Sequence, residues 1–495
     1  MERAERIGRR EEKNRLKAER KRQRQERREA RRQRRSNMTE RPLLGKIICF
    51  SLPLMATGIL QLLYNAADII VVGQFSGHVA MGAVGATSSL VNLLVNLFVG
   101  LSVGALANMS RWVGAGDEKR ADAVVHTSVP VSLIGGVVIG AVGVFASPWL
   151  LELMQTPENV LPLSSLYMRI YFLGMPVLIL YNFGASILRA CGDTKRPLII
   201  LCISGLINVA LNCTFVAGFG MSVDGVAIAT VVSEVFSALA VLFVLIRRKG
   251  FGHLSFRRVR IDREALGDMI RIGLPAGIQG TIFSLSNVVI QSSINSFGDI
   301  AVAGNTAAAS IEGFVYTSMN AVSQACLTFT AQNFGAQKTG NMRLVLRQCL
   351  IIVFVLGAVM GAVVMLLATP LLSIYNREPE VIAYGINRMT FIVTTYFLCG
   401  IMEVLVGALR GMGRSVVPMA ASIIGVCGLR ILWIYTVFAA DRNLDMLYIS
   451  YPISWLATCL FHLVCYFVVR RKVERQIRND LRLEEAAGMC QKGEN

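Results

Sequence analysis

Long apolar runs decide what this chain can be. Twelve of them follow one another, at approximately 46–74, 82–111, 122–146, 162–187, 197–218, 224–247, 266–296, 301–333, 344–371, 381–408, 416–439 and 446–470. About 20 mostly apolar residues suffice for one helical crossing of a bilayer. Inside lipid every backbone N–H and C=O must be satisfied within the protein, which leaves helices or closed barrels. These runs are far longer than barrel strands. The expected fold class is therefore an all-α polytopic membrane protein with twelve transmembrane helices. Composition agrees: 54% of residues are hydrophobic and the mean hydropathy is +0.54, above the apolar share of about 45–50% usual for soluble domains. Pro53, Pro176 and Pro275 fall inside the runs, where bends are expected.

The net charge of +18 is unevenly spread. Residues 1–36 carry 17 Lys/Arg and 7 Asp/Glu. This front segment has no apolar core, so no cleavable signal peptide is expected in it. A basic run beside a membrane suits anionic lipid, and nucleic acid is not an expected partner. Met38, just before the first apolar run, offers an alternative chain start. The eleven cysteines are scattered without C-x-x-C or metal-ligand spacing and read as small apolar core residues. No cofactor is expected.

Loop charge gives orientation. Loops after even-numbered runs carry Lys119 and Arg120, Lys195 and Arg196, Arg247 to Lys249, Lys338 and Arg414. Loops after odd-numbered runs hold Arg377 and Arg442. The positive-inside rule then puts both termini in the cytoplasm. The chain also repeats itself: "ILRACGDTKRP" resembles "ALRGMGRSVVP", pairing Arg189 with Arg410, Gly192 with Gly413 and Pro197 with Pro418. Gly114 likewise pairs with Gly335, and "SLP" ending at Pro53 with "GLP" ending at Pro275. These pairings divide the chain into a basic tail (1–40), a six-helix half (41–247), a linker loop (248–264), a second six-helix half (265–470) and a charged tail (471–495). Six is even, so the halves are parallel repeats. Transporters built from repeats hold their sites between helices near mid-membrane.

One residue stands out in "LLYNAADIIVVG", the aspartate at position 68. Ionised Asp at a helix centre costs about 2.5–3.5 kcal/mol. Protonating an ordinary Asp at pH 7 costs about 4 kcal/mol. The costs are close, so a modest change in surroundings switches the favoured state. Tyr64 and Asp68 share a helix face, with Asn65 near it. Ser204, Asn208 and Asn212 form a stripe in the fifth run, and Thr230 and Glu234 lie four apart in the sixth. The second half has isoleucine at 290, the match to Asp68, while Asn287 matches Asn65. Its candidates are Asn287, Glu312, Glu403 and Arg430. Glu312 either binds a cation or pairs with Arg430. Arg169 and Arg388, near outer helix ends, are expected to snorkel or to serve structure.

The stretches "LYNAADIIVVGQFSG", "VGAGD", "LINVALN", "ILRACGDTKRP" and "ALRGMGRSVVP" resemble the multidrug and toxic compound extrusion (MATE) family, nearest its DinF-like and Gram-positive multidrug exporter branch. The resemblance covers about residues 40–470. It implies a V-shaped twelve-helix fold and antiport of organic cations or other amphiphiles against inward H+ or Na+. It also places the first-helix aspartate beside a polar cluster on helices 5 and 6, which here matches Asp68, Asn208, Asn212 and Thr230. Some members carry a second acid where this chain has Asn212. One carboxylate with amide and hydroxyl oxygens suits Na+ as well as H+, so a Na+ site at Asp68, Asn208 and Asn212 is an expectation beside proton coupling. Members of another branch use acids in helices 7 and 10. Ile270–Phe297 has none, and Glu403 is close to a cytoplasmic end.

The expected activity is secondary antiport by a monomer in the cell membrane. The alternatives are a lipid-linked oligosaccharide flippase of the same superfamily, and, further off, a channel or scaffold. No nucleophile–base pair, metal motif or phosphate loop marks an enzyme.

Overall fold

The computed structural model describes residues 37–154, 156, 158 and 160–493. The basic tail expected over 1–40 lies outside it up to residue 36. The helical units, in chain order, are α1 (Leu44–Gly77), α2 (Leu94–Ala115), α3 (Glu118–Glu152), α4 (Leu161–Leu173 with Met175–Ala190), α5 (Lys195–Gly218) and α6 (Val223–Arg247). They continue with α7 (Arg263–Asn295), α8 (Asp299–Gly335), α9 (Thr339–Leu366), α10 (Pro379–Gly411), α11 (Val416–Phe438) and α12 (Leu444–Asp480). Among the described residues ten helices are long and apolar enough to cross a membrane, or eleven with bent α4 taken as one. The helix at the place of the eighth expected span, α8, is 37 residues long but too polar to meet that test. The protein is an all-α polytopic membrane protein. Large apolar side chains such as Phe145, Leu206, Leu366 and Tyr435 point outward along the helices, as a lipid-facing surface requires.

Local chemistry sets the breaks. α4 bends by 49° where Gly174 precedes Met175 and Pro176, because proline has no N–H to give and crowds the preceding turn. Asp117 caps α3 by accepting from the Arg120 N–H, and Asp262 caps α7 by accepting from the Ala265 N–H. The resembling segments after α4 and α10 end in the same turn. Gly192 and Gly413 have φ of 85° and 74°, the left-handed region that glycine enters without penalty. Gly192 N donates to Arg189 O and Asp193 N to Leu188 O; Gly413 N donates to Arg410 O and Arg414 N to Leu409 O.

The two halves meet backbone to backbone. Gly100 and Gly104 of α2 lie against Gly273, Gly277 and Met269 of α7, so close that a Cβ on either would strike main-chain atoms. Further along, Gly114 rests on Gln332 O and Gly335 on Arg111 O. Helices in lipid gain little from apolar contact with each other and associate through such close approach. The chain start adds a second tie. Met38 is buried in the carboxyl-terminal core, and its carbonyl accepts from Asn333 Nδ2 at 3.1 Å. Lys338 and Asn341 both donate to Thr39 O.

Gly335→Ala is expected to lower stability by about 1–3 kcal/mol through overpacking, read as a lower melting temperature in detergent. Gly267→Ala, where a methyl group meets open space, is the control. Equal melting of the two variants would refute the close-packed crossing.

Candidate functional site

α1 brings Asp68 inward between α5 and α6. The carboxylate is 5% exposed, and Asn208, Asn212 and Thr230 around it are buried. The stripe on α5 supplies two amides at helical spacing, and α6 supplies a hydroxyl. Asn212 Nδ2 donates to Asp68 Oδ1 at 2.6 Å and to Asn208 Oδ1 at 3.0 Å. Asn208 Nδ2 donates to Thr230 Oγ1 at 3.3 Å, and Thr230 Oγ1 donates to Asp68 Oδ2 at 3.2 Å. The four side chains close a ring of hydrogen bonds. The Thr230 hydroxyl has one proton and a second acceptor, Val226 O at 3.0 Å. Both hydrogens of the Asn212 amide are committed, so its orientation is fixed by its partners, and its Oδ1 has no donor.

A second layer holds the ring. Tyr64 hydrogen-bonds Ser233. Ser233 Oγ donates to Thr230 O at 2.8 Å, and Ser204 Oγ donates to Ser233 O at 2.7 Å. Gly205 leaves room for the Tyr64 ring against α5. Glu234, half-buried one turn beyond Thr230, lies near enough to Asp68 to feel its charge. Asn65 and Asn287 are exposed and stand outside the clusters. Ser233 was not among the sequence candidates; its spacing of three from Thr230 was the available signal.

The carboxyl-terminal half is arranged differently from expectation. Glu312 pairs with Arg388, not with Arg430. Arg388 Nε donates to Glu312 Oε1 at 2.9 Å, Nη2 to Oε2 at 2.7 Å, and Nη1 to Asn305 Oδ1 at 2.6 Å. Arg388 is thus buried and does not snorkel: a two-pronged carboxylate partner on α8 offsets the cost of holding it inside. Arg169 is exposed. Arg430 sits apart, its Nε donating to Ser454 Oγ at 2.9 Å and its guanidinium 4.1 Å from the Tyr451 ring centre. Glu403 is buried, and its backbone carbonyl accepts from Ser323 Oγ at 2.7 Å. Arg410 Nη2 donates to Gln279 Oε1 at 2.9 Å.

Glu312→Gln leaves Arg388 buried without its counter-charge and with two of its three acceptors. A loss of about 3–5 kcal/mol is expected. The double replacement Glu312→Leu with Arg388→Leu should lose less, since no charge is stranded. Melting curves of both proteins check this, and a double variant less stable than Glu312→Gln would contradict it.

The sequence profile of the MatE family matches residues 53–214 and 275–436, more than half of the 495 residues. The chain is similar to the probable multidrug resistance protein YoeA of Bacillus subtilis, at 28% identity over 86% of this chain and 93% of that one. It is similar to the FAD transporter of Shewanella oneidensis at 26% identity, over 84% and 92%. Among solved structures, an outward-facing conformation of a multidrug resistance MATE family transporter of the MOP superfamily superposes with a TM-score of 0.79, at 23% identity over 88% and 96%. That likeness concerns the fold.

Proposed function

The chain belongs to the MatE family, and from that premise we propose that it is a secondary antiporter in which the Asp68 ring holds the coupling ion. Its cargo is a small amphiphilic molecule, moved outward while H+ or Na+ moves inward. The probable multidrug resistance protein among its relatives supports an amphiphilic cargo, and the FAD transporter supports a range of cargo wider than drugs. The architecture proposed is two parallel six-helix halves, 41–247 and 265–470, joined by the loop 248–264. Polar α8 is the eighth of twelve spans, shielded from lipid by its neighbours. Both termini are cytoplasmic, the membrane is the cell membrane, and the working unit is a monomer.

The ring carries this reading. An ionised carboxylate deep among helices accepts two hydrogen bonds, and Thr230 has an alternative acceptor one turn back. A proton arriving at Oδ2 turns that oxygen from acceptor to donor. The Thr230 hydroxyl then swings to Val226 O, and its own oxygen accepts from Asp68. The change strands no further buried group, which brings the two protonation states closer in free energy. A sodium ion uses the same place differently. It takes Asp68 with the amide oxygens of Asn208 and of Asn212 once that amide has turned, oxygen ligands suited to a hard cation. Either ion removes the negative charge that an organic cation would otherwise meet, so ion and cargo exclude one another.

Asp68→Asn is expected to reduce gradient-driven dye efflux from vesicles at least tenfold while insertion is unchanged. Efflux with normal rate and normal pH and Na+ dependence would refute the assignment. Imposing the pH and Na+ gradients separately identifies the ion. In the same assay, Asn212→Ala should shift the dependence of rate on the ion gradient, and Glu403→Gln should not. The reverse pattern would put coupling in the other half.

A further inference from the structure

The two halves correspond residue by residue around the ring, and the correspondence inverts its charge. Pro53 and Pro275 align α1 with α7 at a separation of 222 positions. α5 and α11 start 221 positions apart, with Pro197 matching Pro418, and the π-helical turn Ile423–Gly428 takes up one further residue, so that the separation is 222 where Gly205 lies against Tyr64 and Cys427 lies beside Ser286. α6 and α12 begin at Val223 and Leu444, each followed by an aspartate, Asp224 and Asp445. Asp68 therefore corresponds to Ile290, Asn208 to Arg430, Thr230 to Tyr451, Ser233 to Ser454 and Glu234 to Trp455. Asp68 and Glu234 thus have apolar or aromatic counterparts, and an amide has become a guanidinium.

Arg430 is 4% exposed. Its Nε is satisfied by Ser454, yet its Nη2 has no partner. Among the described residues no carboxylate lies within ion-pair distance of it. Acids of the carboxyl-terminal half have other partners: Glu312 has Arg388, and Asp445 has Asn387. The Tyr451 and Trp455 rings cover the guanidinium at 4.1 and 5.6 Å. Cation–π contact softens the burial of a charge but supplies no acceptor to a free N–H. Guanidinium donates only. Whatever completes Nη2 must be an acceptor, and a carboxylate also supplies the missing counter-charge. The backbone is irregular at this point. Leu429–Trp433 is a five-residue α segment between π-helical turns at Ile423–Gly428 and Ile434–Phe438, and such turns recur at functional sites.

We propose that Arg430, with Ser454 and the Tyr451 and Trp455 rings, forms a carboxylate-binding subsite for the anionic end of an amphiphilic cargo. The first half then attracts cations and the second anions, so zwitterionic or acidic amphiphiles are substrates alongside cationic ones. The subsite rests on the reading of the protein as an amphiphile carrier, but binding to it requires no ion gradient.

The test uses the purified full chain in detergent with gluconate as the only small anion. Two xanthene dyes are compared by fluorescence polarisation, one with a free carboxylate and the other its ethyl ester. The wild type should bind the carboxylate dye at least tenfold more tightly than the ester. Arg430→Gln should abolish that preference by weakening the carboxylate dye alone, and Arg430→Lys should retain part of it. Equal weakening of both dyes would assign Arg430 a structural role and overturn the subsite. So would undiminished carboxylate binding by Arg430→Gln. Should that variant not yield monodisperse protein, the wild type decides: absence of the tenfold preference overturns the proposal. Loss of the preference in chloride at about 0.1 M would mark an inorganic anion as the occupant and overturn the assignment to cargo. Failure of either dye to bind would count against the carrier reading as well, whereas loss of ion-driven efflux with intact dye preference would count against the carrier reading alone.

Discussion

A carboxylate inside a membrane protein has to be provided for, and the way Asp68 is provided for organises the amino-terminal half. Isolated, it is costly whether charged or neutral. The ring through Asn212, Asn208 and Thr230 lowers the cost of the charged form. The Val226 carbonyl provides for the neutral one by taking the Thr230 proton. Tyr64, Ser204 and Ser233 tie α1, α5 and α6 together beside the ring, Ser233 through the Thr230 carbonyl. A partly satisfied polar network of this depth would destabilise the half. A network with two nearly balanced arrangements serves as a switch.

The fold makes that switch mechanically relevant. α1 belongs to both halves. Leu43, Ile47, Phe50 and Leu54 lie in one core with Phe329, Met342 and Leu346 of the carboxyl-terminal half. About four turns beyond Leu54, Asp68 engages α5 and α6. The glycine crossing of α2 on α7 joins the halves where side chains are absent, so one can pivot on the other with little repacking. On the proposed function, ion binding at Asp68 would act on a helix whose other end is anchored across the interface. The carboxyl-terminal half has a different electrostatic task. Its bidentate Glu312–Arg388 pair is self-contained, and Arg430 is the charge left over.

Much of this was legible in the sequence. The apolar runs gave all-α membrane architecture, and the lone aspartate with the helical stripe Ser204, Asn208, Asn212 marked the ring. The glycine-centred turns after Arg189 and Arg410 take the same backbone course, as their resembling sequences suggest. Other features depended on which face of a helix points where. Asn65 and Asn287 sit beside the right positions but are turned outward. Glu312 and Arg388 are 76 positions apart, and only tertiary packing shows that α8 and α10 bring them together ahead of Arg430. α8, counted among the apolar runs of the sequence, is too polar to pass as a crossing helix on apolarity alone, and much of it is buried among its neighbours, where a helix has no need of an apolar surface. Ser233 escaped notice because a buried serine commonly just satisfies its own helix backbone.

The central claim is that ion and cargo compete at Asp68 without need of a membrane gradient. It is tested most directly by adding a cationic dye to purified protein in weakly buffered detergent solution and recording ion release, with a pH indicator for H+ and radioactive sodium for Na+. The account predicts release of about one ion per dye bound by the wild type and none by Asp68→Asn. Dye binding of normal affinity to wild-type protein with no release of either ion, or equal release by Asp68→Asn, would contradict it.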